Sequence, residues 1–537
     1  MSLVELGTAP GSVETILIDT PYVADPLRAY KALAKPHSIL LESAEIDSKD
    51  NLKSLILVDA ALRIECQEQK VLVSAVSNNG HSLITFLQQK LSAFVISSAP
   101  NQITLQFASA DNQLDEDTRL KQASVFDVLR TIQREIKTLR SHPHAVFLGG
   151  VFAYDLLASL EVLPRVPKGL NTCPDYVFYL AETLVLIDHQ QQKTEILGSV
   201  FSASDVAQNY FNVQQRLEVV KHAIVQLDEV KFSTNNRDSA VRSDKTLSVD
   251  KSDVEYCQDV INLQEHILDG DIFQVVPSRT FSLPCADSLL AYKRLKQTNP
   301  SPYMFYLQDD DFVIFGASPE SALKYETRSN QVEIYPIAGT RPRGRRPDGS
   351  LDLDLDSRLE LNLQQDEKEK SEHIMLVDLA RNDVAKVSKP GTRHVKDLLK
   401  VDRYSHVMHL VSRVVGQLRD DLDALHAYQA CMNMGTLIGA PKISAASLIR
   451  HTEKCTRGSY GGAVGYLNGN GDFDTCIVIR SAFVANHIAY IQAGAGVVKD
   501  SVPQSEADET RAKAQAVIQA IMTADLAQDI DGEAEHV

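Results

Sequence analysis

The hydrophobic pattern in the first half of the chain alternates between strand-like and helix-like segments. Apolar runs and two-residue alternation predict strands, whereas apolar residues three or four apart predict helices. The predicted strands are residues 38–41, 53–64, 70–76, 146–154, 176–187 and 194–201, and the predicted helices are residues 125–139 and 204–227. Several strands follow one another without an intervening helix, which favours antiparallel sheets.

A polar segment without periodicity, residues 228–250, separates this half from the remainder. Beyond it, Ser252 and Glu255 predict a capping box at the start of a helix that ends at Gly270. Strands are predicted at 272–276, 312–316, 332–336, 475–484 and 488–492, with the last two joined at Asn486 and His487 as a hairpin. We therefore predict an α+β fold of stacked, largely antiparallel sheets flanked by outer helices. The predicted domains are 1–240 and 250–525, and we expect the acidic tail, 526–537, to fray.

The composition excludes several classes of partner and of site. The 537 residues carry a formal net charge of -17, whereas a nucleic-acid-binding surface needs a concentrated excess of lysine and arginine. The apolar stretches are far shorter than the ~20 residues that cross a bilayer, and no secretory signal is visible. We therefore expect no nucleic-acid partner, no membrane partner and a cytoplasmic location. The seven cysteines lie far apart without a Cys-x-x-Cys pair, which disfavours disulfides and zinc.

Two helices are predicted to carry carboxylates on their core-facing stripes. In the first, 366–380, Glu369 and Glu372 continue the stripe of Leu376 and Leu379. Such carboxylates need a cation or a donor beside them, because burying a charge without a partner is costly. The alternative is that glutamates near the start of a helix simply complement its dipole, and the helix alone leaves both interpretations open.

The second helix follows Pro503 and repeats the pattern with Glu506, Glu509 and Lys513. Glu509 and Lys513 by themselves are as typical of a surface salt bridge. Two such helices, in a chain without a cluster of histidine or cysteine ligands, favour an oxygen-preferring ion such as Mg2+ over zinc. We expect a substrate carboxylate to complete its coordination.

Glycines and cations near the carboxyl end predict a binding site for an anion. Gly494, Ala495 and Gly496 follow a strand and leave backbone that an anion can approach closely. This segment lacks the third glycine of a dinucleotide fingerprint and does not open a helix directly, so a Rossmann site is rejected. Arg480 and Lys513 would add positive charge, although a single arginine in a strand is more often part of a structural ion pair.

Two residues have the chemistry for proton transfer. Glu320 directly follows a predicted strand, and His409 can act as an acid or as a base near neutral pH. Taken alone, an ordinary loop glutamate and a buried core histidine are the more common explanations.

Six segments in a fixed order resemble the motifs of the chorismate-utilising enzymes. They are residues 270–276 (GDIFQVV), 317–321 (ASPES), 336–341 (PIAGTR), 367–373 (EKEKSEH), 439–442 (GAPK) and 492–496 (QAGAG). The resemblance covers most of the chain from about 252 to 520 and implies the fold of that family. It also implies that Glu372 and Glu509 hold Mg2+, with Glu369 and Glu506 in support. The catalytic residues that it implies are Glu320, His409 and Thr436, and the substrate-binding residues are Gly339, Thr340, Tyr460, Arg480, Gly494, Ala495, Gly496 and Lys513.

Within this family, the chain is most similar to the large subunits of anthranilate synthases. Isochorismate and salicylate synthases carry a lysine where Gln274 stands, and aminodeoxychorismate synthases usually carry a nucleophilic lysine where Ala338 stands. Ammonia already has a usable lone pair, whereas water needs a base, so the missing lysines favour direct attack by ammonia. No cysteine lies in a Gly-x-Cys-x-Gly elbow, so the resemblance implies a separate glutaminase subunit and a hetero-oligomer.

The resemblance also implies an inhibitor site for tryptophan. Its residues would be Glu42, Ser43, Lys53, Pro302, Tyr303 and Met304. Without the resemblance, an edge strand and a proline-stiffened loop explain these segments equally well.

We therefore hypothesise a Mg2+-dependent lyase that converts chorismate and glutamine-derived ammonia to anthranilate and pyruvate and is inhibited by tryptophan. The alternatives are an aminodeoxychorismate synthase and a non-catalytic amino-acid-binding regulator on the same scaffold.

Overall fold

The structure is a computed structural model that describes residues 3–44, 51–109, 113–227, 246–404 and 407–524. Its α-helices are α1 Leu3–Thr8, α2 Pro26–Leu33, α3 Asn78–Lys90, α4 Glu116–Lys121, α5 Asp127–Glu135, α6 Val206–Val225, α7 Asp253–Leu268, α8 Ser288–Thr298, α9 Leu353–Gln365, α10 Glu367–Val387, α11 Ala424–Cys431, α12 Gly435–Ile438, α13 Lys442–Glu453 and α14 Pro503–Thr523. Short 3-10 helices occupy Ser92–Phe94 and Tyr154–Ser159. Within the described ranges, no helix has the length and apolar character needed to cross a bilayer.

The strands form ladders that are almost all antiparallel. They are β1 Ser12–Thr20, β2 Ser38–Ala44, β3 Asn51–Gln67, β4 Lys70–Ala75, β5 Val95–Ala99, β6 Gln102–Gln106, β7 Lys137–Thr138, β8 Phe147–Phe152, β9 Tyr176–Asp188, β10 Lys193–Phe201, β11 Ser248–Val249, β12 Gln274–Val275, β13 Ser278–Pro284, β14 Tyr303–Gln308, β15 Val313–Ser318, β16 Ser321–Glu326, β17 Gln331–Ile334, β18 Ile337–Pro342, β19 His394–Arg403, β20 Val407–Gln417, β21 Gly439–Ala440, β22 Ala463–Asn468, β23 Phe473–Ile477, β24 Ser481–Ala485 and β25 Ile488–Gly494. A short pairing of β1 with β7 is parallel.

Apolar side chains pack against both faces of the sheets. One core cluster consists almost entirely of strand residues, such as Leu57, Tyr179 and Phe305, and lies between strand layers. Helices cover the outer faces, where Leu217 of α6 and Val517 of α14 belong to a second cluster. Stacked antiparallel sheets with helices on their outer faces confirm the predicted α+β class.

Strands from the two halves of the sequence pair with each other. β2 pairs with β14, and β8 pairs with β22, both in antiparallel register. Most of the polar segment proposed as the boundary, 228–245, lies outside the described residues, as does the acidic tail. The domain division therefore stays a prediction, although backbone hydrogen bonds join the two halves into shared sheets.

The capping box and the hairpin predicted for the second half of the chain agree with the structure, whereas two of its predicted strands differ. Ser252 and Glu255 form a reciprocal capping box at α7. Asn486 and His487 adopt φ values of 50° and 59° in the β24–β25 turn, which is the conformation of a tight hairpin. The prediction of one strand over 475–484 is wrong. The strand conformation is interrupted between β23 and β24, where Arg480 has a φ of 49°. The predicted strand over 272–276 is also shorter and pairs only at β12.

Candidate active site

Carboxylates from α10 and α14 face one another. Burial raises the pKa of Glu372 to about 7, and the nearby negative charges of Glu369, Glu506 and Glu509 contribute, while Lys368 opposes them. The pKa of Glu506 is also raised, by burial and by Glu509. The two helices that were predicted to carry inward glutamates thus bring these glutamates within electrostatic reach of each other.

Two of these glutamates already have cationic partners. Glu509 Oε1 lies 2.6 Å from Lys513 Nζ, and Glu369 Oε1 accepts a hydrogen bond of 2.8 Å from Arg341 Nη1. Within the described ranges, no three of the glutamate ligand atoms lie within 4.8 Å of one another. All the ligand atoms are oxygens, and burial together with their mutual repulsion raises the pKa values of Glu372 and Glu506, so the set fits a hard divalent cation.

Glu320 is buried and protonated near neutral pH. It follows β15 and is 6% exposed, and its Oε1 accepts a hydrogen bond of 2.9 Å from Thr436 Oγ1 at the start of α12. Burial raises its pKa to about 8, although the Thr436 hydroxyl and the charges of Lys513 and Arg480 lower it. A carboxyl group of this kind carries a proton that it can donate in an apolar environment.

His409 lies opposite Thr340 in the β18–β20 ladder. Its Nδ1 is 2.9 Å from Thr340 Oγ1 and 3.3 Å from the carbonyl oxygen of Gly339. Burial lowers its pKa to about 4, and the positive charge of Arg480 contributes. The ring is therefore neutral at pH 7, and an Nδ1–H that donates to Gly339 leaves Nε2 as a proton acceptor.

The predicted anion-binding segment lies against Tyr460 and Lys513. Lys513 Nζ donates to the Gly494 carbonyl oxygen at 2.9 Å. Burial raises the pKa of Tyr460, and the nearby backbone of Gly494 lowers it. A Cβ added at Gly494 would lie 2.6 Å from the carbonyl oxygen of Pro277, so only glycine fits there. A Cβ added at Gly496 would lie 2.8 Å from Nε2 at the end of the Gln274 side chain. These contacts place a bare backbone surface next to a lysine and a phenol.

Arg480 occupies a turn rather than the strand that the sequence predicted. The left-handed backbone lets its carbonyl oxygen accept from Ala317, and its guanidinium lies within electrostatic reach of Glu320, Glu509 and Tyr460. Burial lowers its pKa, but it stays charged. No described carboxylate forms a salt bridge with it, so its charge is available to a bound anion.

The predicted inhibitor residues meet across three neighbouring strands. Ser43 of β2 pairs with Lys53 of β3 and with Tyr303 of β14, and the Ala44 N–H donates to the Pro302 carbonyl oxygen at 2.9 Å. Alternation along a strand places Glu42 and Met304 on the opposite face. There, Glu42 accepts a hydrogen bond from Tyr292 of α8 at 2.7 Å and pairs with Lys296. The six residues are adjacent, but their side chains do not share one face.

Each of these two places contains a further residue that the sequence did not predict. Lys368 lowers the pKa values of Glu372, Glu506 and Glu509, and its position four residues before Glu372 was a signal that could have identified it. Near the inhibitor residues, Tyr303 donates to Asp474 at 3.4 Å. Nothing in the local sequence brings Asp474 to Tyr303, because the two residues are 171 positions apart.

Comparisons with known proteins agree with this architecture. A family model described as chorismate binding enzyme matches residues 85–519. The anthranilate synthase component 1 of Vibrio cholerae is 56% identical over 524 residues, which cover 96% of this chain and 97% of that protein. The crystal structure of anthranilate synthase component I from Streptococcus pneumoniae aligns with a TM-score of 0.64 at 27% identity and covers 93% of this chain and 98% of that chain.

The fold alone does not distinguish the members of this group. The menaquinone-specific isochorismate synthase of Escherichia coli aligns with a TM-score of 0.65 at 17% identity, over 97% of both chains. The full-length sequence identity is more specific. The chain therefore belongs to the chorismate-binding enzyme family and, within it, to the anthranilate synthase component 1 group.

Proposed function

We propose that this chain converts chorismate and ammonia to anthranilate, pyruvate and water, as a lyase that depends on Mg2+. The observation that carries the proposal is the buried, protonated Glu320, which lies within electrostatic reach of two cations and accepts a hydrogen bond from Thr436. An acid held neutral beside two cationic groups suits the protonation of a leaving hydroxyl group.

The first step is the addition of ammonia to the ring with loss of the ring hydroxyl group. Glu320 donates its proton to that hydroxyl, which leaves as water, and the nitrogen lone pair forms the new bond. Arg480 and Lys513 bind the carboxylates of the substrate, because Lys513 donates to the Gly494 carbonyl oxygen and the Arg480 guanidinium lies within electrostatic reach of Tyr460. Ammonia needs no base for this attack, which agrees with Gln274 and Ala338 in place of lysines.

The second step removes a ring proton and expels pyruvate. The neutral ring of His409 accepts that proton at Nε2, because Nδ1 is engaged with Thr340 and Gly339. The bond between the ring carbon and the enolpyruvyl oxygen breaks, the released enolpyruvate takes up a solvent proton at its methylene carbon to become pyruvate, and the ring becomes aromatic. Loss of the proton and departure of pyruvate together distinguish this reaction from that of an aminodeoxychorismate synthase, whose product keeps the enolpyruvyl ether.

Glu372 and Glu509 would hold Mg2+, with Glu369 and Glu506 supporting them. When bound, the ion supplies positive charge that fixes the ring carboxylate and lowers the cost of gathering several carboxylates in one place. The raised pKa values of Glu372 and Glu506 support this assignment.

We also propose a partner subunit as the source of ammonia and tryptophan as an inhibitor of this chain. Ammonia is scarce at neutral pH and this chain carries no cysteine elbow, so a glutaminase subunit would deliver it in a hetero-oligomer. Tryptophan would bind near Ser43, Lys53 and Tyr303 as a feedback inhibitor.

The purified chain should be assayed with chorismate, Mg2+ and ammonium at raised pH, with and without a chelator. We expect fluorescent anthranilate that disappears with the chelator. Mass spectrometry of the products is the parallel measurement: an accumulated amino product that still carries the enolpyruvyl ether would favour the aminodeoxychorismate synthase. Tryptophan binding without any turnover would favour the non-catalytic regulator.

A further inference from the structure

A buried arginine, Arg457, links three main-chain segments that border the candidate active site. It is 1% exposed. Its Nη1 donates to the carbonyl oxygen of Leu437 at 2.9 Å, directly after Thr436. Its Nη2 donates to the carbonyl oxygen of Val276 at 2.6 Å, two residues after Gln274. Arg457 itself lies in the loop between α13 and β22 that carries Tyr460, so a single side chain joins the three segments.

The same arginine reaches the Gly494 backbone surface through Glu453. Its Nε donates to Glu453 Oε2 at 2.9 Å. Glu453 Oε1 accepts from both the backbone N–H and the hydroxyl of Ser278, at 2.8 and 2.7 Å. Ser278 pairs with Gly494 in the β13–β25 ladder. Movement of Arg457 would therefore disturb the strand that backs this surface.

The first half of the chain fixes the position of this arginine. Asp155, in the 3-10 helix Tyr154–Ser159, accepts from the backbone N–H groups of Arg457 and Gly458 at 2.8 and 2.9 Å. Its other oxygen accepts from Arg450 Nη2 at 2.8 Å. The Arg457 guanidinium lies over the Tyr154 ring, 4.6 Å from the ring centre, and forms a cation–π pair with it. These contacts span about 300 positions of sequence, since Asp155 and Arg457 are 302 apart.

The geometry explains why arginine stands here. Its planar guanidinium offers five donors in a fixed arrangement, whereas lysine offers one rotating ammonium group. Two positive charges, Arg450 and Arg457, are balanced by two negative charges, Asp155 and Glu453, in a region closed to solvent. Removal of the guanidinium would leave two buried carbonyl oxygens and one carboxylate with fewer donors.

We propose that Arg457 is a positioning residue for the reaction: it holds the Thr436 turn, the strand behind Gly494 and the Tyr460 loop as one rigid wall. Asp155 sets its position from the first half of the chain. This inference rests on the proposed function, because the wall matters only if Thr436, Gly494 and Tyr460 act on the substrate. Arg457 itself touches neither the substrate nor the reacting atoms.

The test is a double-mutant cycle between Arg457→Lys and Thr436→Val, with kcat/KM for chorismate as the readout. Displacement of a catalytic wall by about 1 Å can cost on the order of 100-fold in rate, and we expect a loss of that size for Arg457→Lys. The double variant should lose much less than the product of the single losses, because both changes disable the same turn. Arg63→Lys is the matched control: it breaks a bidentate pair with Asp309 in the β14–β15 turn, and it should act independently of Thr436→Val.

Asp155→Asn is the second variant, in case Arg457→Lys folds poorly. It keeps the size of the side chain and removes the charge that faces Arg450. It should weaken chorismate binding, measured by calorimetry without ammonia, and its effect should also be non-additive with Thr436→Val. Fully multiplicative effects in both cycles, or variants that keep kcat/KM within about twofold of the wild type, would overturn the inference. A wild-type chain that makes no anthranilate would instead refute the proposed function, and the chorismate-binding measurement would still test the wall.

Discussion

Replacement of Glu320 by glutamine should stabilise the protein increasingly as the pH rises. The pKa of the folded-state carboxyl is about 8, against an ordinary value of 4.5. Below pH 4.5 both the folded and the unfolded states hold the proton. Between pH 4.5 and pH 8 only the unfolded state releases the Glu320 proton, so the free energy of unfolding of the wild type falls as the pH rises. Glutamine keeps the hydrogen bond to Thr436 and has no proton to release.

The size of the effect follows from the difference between the two pKa values, 8 − 4.5 = 3.5. One unit corresponds to about 1.4 kcal/mol, so the variant should gain about 1.4 kcal/mol per pH unit between pH 4.5 and 8. The gain should level off at about 5 kcal/mol above pH 8, where the folded state also ionises.

Urea unfolding of wild-type and Glu320→Gln protein at pH 5, 6, 7, 8 and 9 measures this difference. Glu326→Gln is the control, because it makes the same chemical change at an exposed position of β16. A difference for Glu320→Gln that stays constant from pH 5 to 8 would show that Glu320 is ionised in the folded protein. That result would refute its role as the acid.

Three other substitutions test the remaining parts of the site. Glu372→Gln should raise the Mg2+ concentration for half-maximal activity by about tenfold or more, and an unchanged Mg2+ titration would remove Glu372 from the metal site. Arg480→Met should raise the KM for chorismate by about 10- to 100-fold, because it removes a charge-assisted hydrogen bond to the substrate. An unaltered KM in steady-state kinetics would contradict the contact of Arg480 with the substrate. Ser43→Phe should weaken tryptophan binding by about tenfold by overfilling the space beside Tyr303. Because the chain contains no tryptophan, indole fluorescence reports the bound ligand directly, and an unchanged binding curve would exclude this site.

Much of the local structure could be predicted from short stretches of sequence. The helix stripe that carries Glu369 and Glu372, the capping box at Ser252 and the hairpin at Asn486 depend on residues within about one or two turns of each other. The strand break before Arg480 could not be predicted, because the apolar run continues through it. The Arg480 carbonyl oxygen accepts a hydrogen bond from the N–H of Ala317, which lies 163 positions away in sequence (480 − 317).

The sequence by itself determined several of the helices and strands, such as α7 and the β24–β25 hairpin, and it supplied the motifs that place the chain in its family. These properties come from the periodicity of side chains and from local backbone preferences, both of which act over a few residues. Only the tertiary structure decided that Glu372 faces Glu509, that burial keeps Glu320 protonated and that Asp155 holds Arg457. Desolvation and charge–charge interaction depend on distance in space, and the groups that produce them come from positions more than 100 residues apart.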